Sequence, residues 1–104
     1  MNGQAVTIPR IYLAEGEGRL QPILDYLPDI ADVRGWTVYR GVSGYGKSGK
    51  VRAASLIDLA LDLPVTIEFF DATDKVEAIF GALNALAGDG HVVHWRATMT
   101  DSQA

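Results

Sequence analysis

The hydrophobic pattern of this chain passes from strand to helix periodicity in the same order twice, which narrows the folds open to it. A β-branched and aromatic segment precedes an amphipathic helical segment and a second strand, and the series then repeats. The predicted strands cover residues 7–14, 35–40, 55–63 continuing as 65–70, and 91–98. The first helix is expected from Gly18 to near Val33, and the second from Asp74 to Gly88.

The order βαββαβ predicts an α+β fold of the ferredoxin-like type. Two right-handed crossovers place both helices on one face of a four-stranded antiparallel sheet. Residues 1–104 then form one domain, with a core over residues 7–98 and flexible polar ends. The other sheet face would expose aromatic side chains, so we expect the chain to self-associate through it.

Local signals refine the predicted elements. Pro9 lacks an N–H group, which favours an edge position or the start of a strand. Pro28 should kink or restart the first helix, and Asp74 with Glu77 resembles a capping box at the start of the second. The segment 55–63 fits helical spacing as well as alternation, and strand is preferred because its two aspartates then lie opposite its apolar side chains.

Composition excludes several classes of function. The chain has 104 residues and no cysteine, which excludes disulfides, thiolate catalysis and cysteine-based metal sites. Its net charge of −4 argues against nucleic-acid binding by bulk electrostatics. No apolar run approaches the roughly 20 residues that span a bilayer, and the first residues lack the features of a signal peptide. We therefore expect a soluble cytoplasmic protein without direct membrane insertion.

The positive charges are concentrated in one region. No acidic residue lies between Asp32 and Asp58, yet five of the nine cations do: Arg34, Arg40, Lys47, Lys50 and Arg52. A cationic island in an acidic protein suits a compact anion such as a phosphate group. A solvated loop that is basic for solubility remains the alternative.

Residues 41–48 within this region satisfy the phosphate-loop pattern G-x-x-x-x-G-K-[ST]. Taken alone, the pattern indicates a minimal nucleotide hydrolase that uses Lys47 and Ser48. Gly49 disfavours the helix that such a motif requires, and about 55 further residues are too few for a doubly wound sheet. The glycines still allow backbone N–H groups to surround an anion, although a flexible hairpin connection explains them equally well.

Two short motifs resemble those of PII signalling proteins. Residues 44–47 (GYGK) resemble the Gly-Phe-Gly at the start of the PII regulatory loop, and residues 88–91 (GDGH) resemble the Gly-Asp-Gly-Lys turn before the last strand. The runs 37–46, 62–65 and 68–71 resemble the PII-like family catalogued as a domain of unknown function. The similarity covers residues 7–98.

This resemblance implies a non-enzymatic homotrimer that binds an adenine nucleotide (ATP, ADP, AMP or a cyclic form) in clefts between subunits. The loop 43–56 would then signal to a partner such as a membrane transporter or an enzyme. The nucleotide-binding residues that the motifs imply are Gly44, Tyr45, Gly46, Lys47, Gly88, Asp89, Gly90 and His91. Lys50 and Arg52 are added because of their charge. A structural trimer without a nucleotide site is a further alternative.

The chain departs from the PII pattern at His91, where the family has lysine. A histidine is mostly uncharged at neutral pH and binds phosphate less strongly. His91 and His94 should point to opposite faces of the last strand, so no shared metal site is expected. Trp36 and Trp95 could stack on a base, but sheet packing or a trimer contact is commoner. No nucleophile with a neighbouring base is evident, and no catalytic residue is assigned.

Overall fold

The computed structural model describes residues 2–45, 51–53 and 63–101. Its strands are β1 (Asn2–Ala14), β2 (Thr37–Arg40), β3 (Ser43–Tyr45), β4 (Val51–Ala53), β5 (Pro64–Glu68), β6 (Asp71–Ala72) and β7 (Val92–Asp101). Its helices are a 3-10 turn (Glu15–Glu17), α1 (Leu20–Asp29), α2 (Thr73–Glu77) and α3 (Phe80–Ala87). No helix in these ranges is long and apolar enough to cross a membrane.

The main sheet has the strand order β2-β5-β1-β7, with every pair antiparallel, and β6 continues the line of β5 along β1. Ile67 of β5 lies between Ile11 of β1 and Val38 of β2, which fixes the register across three strands. The four strand lines and the helices follow the predicted βαββαβ order. The ferredoxin-like α+β fold is therefore confirmed.

The core lies between one face of the sheet and the helices. Alternate residues of β1 and β5 point into it, because successive side chains of a strand face opposite sides. The buried cluster comprises Ile11, Leu13, Val65, Ile67 and Phe69 of the sheet with Ile23, Leu27, Val76, Leu83 and Ala87 of the helices. The helices thus cover one face only.

The other face, which we call the open face, carries exposed aromatic side chains. Tyr12, Tyr39 and Trp95 are 46%, 52% and 40% exposed. Arg10 lies beside them, forms an ion pair with Glu68 and places its guanidinium carbon 5.2 Å from the centre of the Trp95 ring. The uncovered aromatic face expected from the sequence is therefore present in the single chain.

The expectation that Pro9 marks an edge or a strand start was wrong, because β1 is a central strand. The Tyr12 N–H donates to His91 O, so N–H groups at even positions of β1 face β7 and those at odd positions face β5. The missing N–H of Pro9 therefore falls opposite Phe69, whose own N–H still donates to Pro9 O at 3.4 Å. Because Pro9 cannot donate a hydrogen bond to this side, the pairing with β1 is interrupted between the end of β5 and the beginning of β6.

The predicted second helix is two helices, α2 and α3, separated at residues 78–79. The capping box expected at Asp74 and Glu77 was wrong, since α2 begins at Thr73 and its N-cap position is Ala72. The Asp74 carboxylate accepts a hydrogen bond from the Lys75 N–H, and Glu77 lies 3.4 Å from Arg96 of β7. In the first helix, Pro28 stands in the last turn and α1 ends one residue later.

Beyond β2, strands β3 and β4 pair antiparallel as a ribbon of their own, with Gly44 opposite Arg52. The glycine-rich connection therefore runs from strand to strand rather than from strand to helix. The predicted strand at residues 55–63 lies outside the described residues except for its last position.

Candidate functional site

Three connections between elements lie at one end of the main sheet. Because β1 and β2 both run antiparallel to β5, and β7 runs antiparallel to β1, the ends of β1 and β2 meet the beginnings of β5 and β7. The 3-10 turn after β1, the glycine-rich segment after β2 and the turn 88–91 before β7 therefore lie at this end, which we call the loop end. Two regions with candidate motifs therefore lie at the same end of the sheet although they are distant in sequence, one following β2 and the other preceding β7 at the opposite edge.

The glycine-rich segment is fastened to the sheet where it leaves β2. The Gly41 N–H donates to Pro64 O at 2.8 Å, and the Glu15 N–H donates to Leu63 O at 2.9 Å. Arg40 forms an ion pair with Glu15, which joins the end of β2 to the turn after β1. The positive charge of Arg40 is thus offset by a carboxylate.

The turn 88–91 has a backbone that only glycine adopts easily, with φ of +93° at Gly88 and +82° at Gly90. Asn84 of α3 donates its side-chain amide to the Asp89 carboxylate at 2.7 Å. His91 accepts the Tyr12 N–H on its carbonyl, and its Nδ1 lies 2.7 Å from Tyr12 O. Since a carbonyl can only accept, Nδ1 carries the proton and Nε2 remains available. Both ends of the turn are therefore fixed to neighbouring elements.

Arg19 lies against this turn, a contact that the sequence did not predict. A Cβ atom built on Gly88 would lie 2.6 Å from Arg19 Nη1 and 3.5 Å from His91 Cδ2, so the guanidinium packs over the glycine beside the imidazole. Arg19 precedes α1 directly and is outside the cationic island, about seventy positions from Gly88 in sequence. The one feature of the sequence that could have drawn attention to Arg19 is its position directly after the Glu-Gly-Glu-Gly stretch that follows the first strand.

The structure places the predicted site residues in two groups. Gly88, Asp89, Gly90 and His91 form the turn at the loop end. Gly44, Tyr45 and Arg52 belong to the backbone of the β3–β4 ribbon that leaves this end. Gly46, Lys47 and Lys50 lie outside the described residues.

The histidines make separate contacts, as their spacing predicts. His94 of β7 stacks on Phe80 of α3, with 4.0 Å between the ring centres and 21° between the planes. His91 is bound to β1. Within residues 2–45, 51–53 and 63–101, no three His, Asp or Glu side chains are grouped so as to hold a metal ion.

The open face has a shallow depression of about 290 Å³, lined by Arg10, Tyr12, Tyr39 and Thr66. The hydrogen bond from Arg10 to Glu68 raises the pKa of the guanidinium, which therefore stays charged. The depression is open to solvent, and Tyr12, one of its lining residues, is joined through its backbone to His91 of the turn at the loop end. Its lining residues belong to the open face, through which the sequence predicts self-association.

Comparison with known proteins identifies relatives over nearly the whole chain. Residues 8–99 match the family DUF190, described as an uncharacterized ACR. A UPF0166 protein of Aquifex aeolicus (strain VF5) is 36% identical over 85 residues, which cover 74% of this chain and 81% of that protein.

Among solved structures, the fold matches CPII, a nitrogen regulatory PII-like protein from Thiomonas intermedia K12, bound to ADP, AMP and bicarbonate. The match has a TM-score of 0.73 at 19% sequence identity and covers 96% of this chain and 92% of that chain. The expected membership of a family catalogued as a domain of unknown function is confirmed by the DUF190 match, and the expected PII-like fold is confirmed by the structural match.

Proposed function

We propose that this chain, which belongs to the DUF190 family, is a non-enzymatic PII-like regulatory protein that binds an adenine nucleotide at the loop end. One observation carries the proposal. The turn 88–91, with its two positive-φ glycines, lies at the same end of the sheet as the base of the glycine-rich segment, on a fold shared with a protein bound to ADP and AMP. Backbone N–H groups and cations at such a turn suit a phosphate group.

The proposed site combines the turn with the ribbon. Gly88, Asp89, Gly90 and His91 would contact the nucleotide from the turn, as the sequence motif implies. Gly44, Tyr45, Gly46 and Lys47, with Lys50 and Arg52, would contact it from the glycine-rich segment. The ligand would be ATP, ADP, AMP or a cyclic form, and a change of loop conformation in segment 43–56 would regulate a cytoplasmic enzyme or a membrane transporter.

A homotrimer would complete this site. The open face exposes several aromatic side chains next to the Arg10–Glu68 ion pair, and a second copy of the chain would bury them. Packing of the sheets about a threefold axis would bring the loop end of one subunit against its neighbour. The nucleotide would then lie between subunits and respond to their arrangement.

Calorimetric titration with ATP, ADP, AMP and cyclic AMP tests the proposal. We expect at least one nucleotide to bind and to raise the melting temperature, since a ligand that binds only the folded state stabilises it. Gly90→Val should weaken binding about tenfold or more because a β-branched residue resists φ of +82°. Gly35→Val is the matched control, since Gly35 has a negative φ and open space around it.

If no nucleotide produces heat or thermal stabilisation with the wild-type protein, the proposed function is wrong. Phosphate release above background from ATP, abolished by Lys47→Ala, would instead support a hydrolase. The same protein samples serve both measurements.

A further inference from the structure

The position of Arg19 points to a role at the turn 88–91. Its Nη1 and Cζ atoms lie 2.6 Å and 3.3 Å from the place where a Gly88 Cβ would stand. The guanidinium therefore occupies space that any other residue at position 88 would fill. The imidazole of His91 borders the same space, since its Cδ2 lies 3.5 Å from that point. A planar donor group thus lies directly on the backbone of the turn.

Arg19 shares with Arg34 the absence of a described carboxylate partner. Arg10, Arg40, Lys75 and Arg96 each pair with a carboxylate. Among the described residues, no carboxylate lies within ion-pair distance of Arg19. A guanidinium stays charged at all physiological pH values, whereas an imidazole is charged only when protonated. Arg19 is therefore the permanent positive charge next to this turn that no described carboxylate offsets.

The turn itself has backbone N–H groups without a described acceptor. No described residue accepts a hydrogen bond from the backbone N–H of Asp89 or Gly90. The Asp89 carboxylate is bound by Asn84, which holds it toward α3. Two main-chain donors and a guanidinium thus belong to one short segment and its neighbour.

We propose that Arg19 binds the phosphate of the nucleotide at the turn 88–91, together with the backbone N–H groups of Asp89 and Gly90. The inference rests on the proposed nucleotide-binding function and assigns to it a residue outside both glycine motifs. Arg19 provides the fixed charge at a turn whose own cationic side chain is a histidine. The planar guanidinium can donate two parallel hydrogen bonds to phosphate oxygens, which a lysine cannot.

Titration of wild type, Arg19→Ala and Arg19→Lys with ADP, AMP and adenosine tests this role. We expect Arg19→Ala to weaken ADP and AMP binding about 10- to 100-fold, the usual effect of losing charge-assisted hydrogen bonds. Arg19→Lys should recover part of the loss. Adenosine, which has no phosphate, should bind all three proteins equally. The difference between 50 and 200 mM salt should shrink in Arg19→Ala, because one charge contact with the phosphate is gone.

Arg34→Ala is the matched control. Its guanidinium donates to Met99, which pairs with Gln4, whereas the turn is bound to Tyr12. Gln4 and Tyr12 are separated along β1 by roughly 26 Å at 3.3 Å per residue. Arg19 makes no side-chain cap hydrogen bond to α1, so its truncation should leave the helix intact, which circular dichroism will verify.

Three outcomes would overturn the inference, and they are distinguishable. If wild type binds ADP and Arg19→Ala binds it equally well, Arg19 is not a phosphate ligand while the proposed function stands. If wild type binds no adenine nucleotide, the proposed function fails and the inference fails with it. An equal loss of adenosine and ADP affinity would also count against it, since the effect would not depend on phosphate.

Discussion

Two glycines at the ends of α3 show how much a single position can depend on backbone conformation. Gly88 follows the helix with φ of +93° and lies under the Arg19 guanidinium. Gly81 lies in the first turn of the same helix, has no positive φ and has open space where a Cβ would stand. The same substitution should therefore have opposite effects at the two positions.

Gly88→Ala should lower the free energy of unfolding by about 1 to 2 kcal/mol, because an L-residue is strained at positive φ and its methyl group would displace Arg19. Gly81→Ala should raise it by about 0.5 to 1 kcal/mol, because alanine loses less conformational freedom in a helix. Urea unfolding followed by circular dichroism measures both. A Gly88→Ala protein as stable as wild type would show that the turn tolerates a side chain.

At the scale of elements, Asp71 of β6 joins the α1–β2 connection to α2. The residue is 7% exposed, and its carboxylate accepts hydrogen bonds from the backbone N–H groups of Ala72 at 2.8 Å and Arg34 at 3.2 Å. Lys75 of α2 lies 3.4 Å from the same carboxylate and donates to Asp32 O. Burial alone would raise the pKa of Asp71, but these hydrogen bonds and the ammonium group outweigh it and lower the pKa.

This lowered pKa predicts a particular response to acid. Because the pKa of Asp71 is lower in the folded than in the unfolded chain, its contribution is complete above the ordinary aspartate value of about 3.9. The contribution is lost as the pH falls below that value and through the folded pKa. Asp71→Asn should cost about 1 to 3 kcal/mol at pH 7 and should lose less stability than wild type between pH 6 and pH 2.

Urea titrations across this pH range, at one fixed protein concentration, test the response. Asp29→Asn, which removes one charge from the exposed end of α1, controls for the change in net charge. Parallel pH profiles for wild type and Asp71→Asn would contradict the role of Asp71.

At the scale of the whole molecule, the open face is the surface through which we expect the chain to self-associate. A sheet covered by helices on one side leaves its aromatic residues in water unless a further layer packs on them. Trp95 lies on this face with Arg10 beside it, whereas Ile30 is 73% exposed at the end of α1, on the helical side. These two apolar side chains distinguish assembly through the sheet from assembly through the helices.

Trp95→Glu should dissociate the proposed trimer, because it replaces a large apolar contact with a carboxylate that would have to lose its hydration in the interface. Light scattering should show a fall from about three times the 11.2 kDa of one chain toward the mass of the monomer. Ile30→Glu should keep the wild-type mass. A wild-type protein that is monomeric, or a Trp95→Glu protein that stays trimeric, would contradict assembly through the open face.

The order and type of the elements could be predicted from the sequence because they depend on local periodicity. Alternation along β1 and helical spacing along α1 are properties of neighbouring residues. The glycines close to the pattern G-K-S correctly indicated that no helix follows the loop directly, but the two strands of the β3–β4 ribbon were not predicted. The turn 88–91 was identified by its resemblance to the PII motif.

Features that depend on distant partners could not be predicted. Pro9 is compatible with a central strand because its missing N–H faces Phe69, which lies in the interruption between β5 and β6. Asp74 has the spacing of a helix cap, but Asp71 and Lys75 are engaged with the α1–β2 connection, and α2 begins at Thr73. Arg19 meets Gly88 only because the ends of β1 and α3 meet at the loop end.

The sequence by itself determined the ferredoxin-like order of elements and the two glycine motifs, because both are encoded in residues close along the chain. The tertiary structure decided which charges meet. Antiparallel pairing placed the turn 88–91 at the loop end. There the carboxylate of Glu15 offsets the positive charge of Arg40, whereas Arg19 lies beside the turn without a described carboxylate partner. The physical reason is that electrostatic interactions depend on distances in space, which sequence separation does not report.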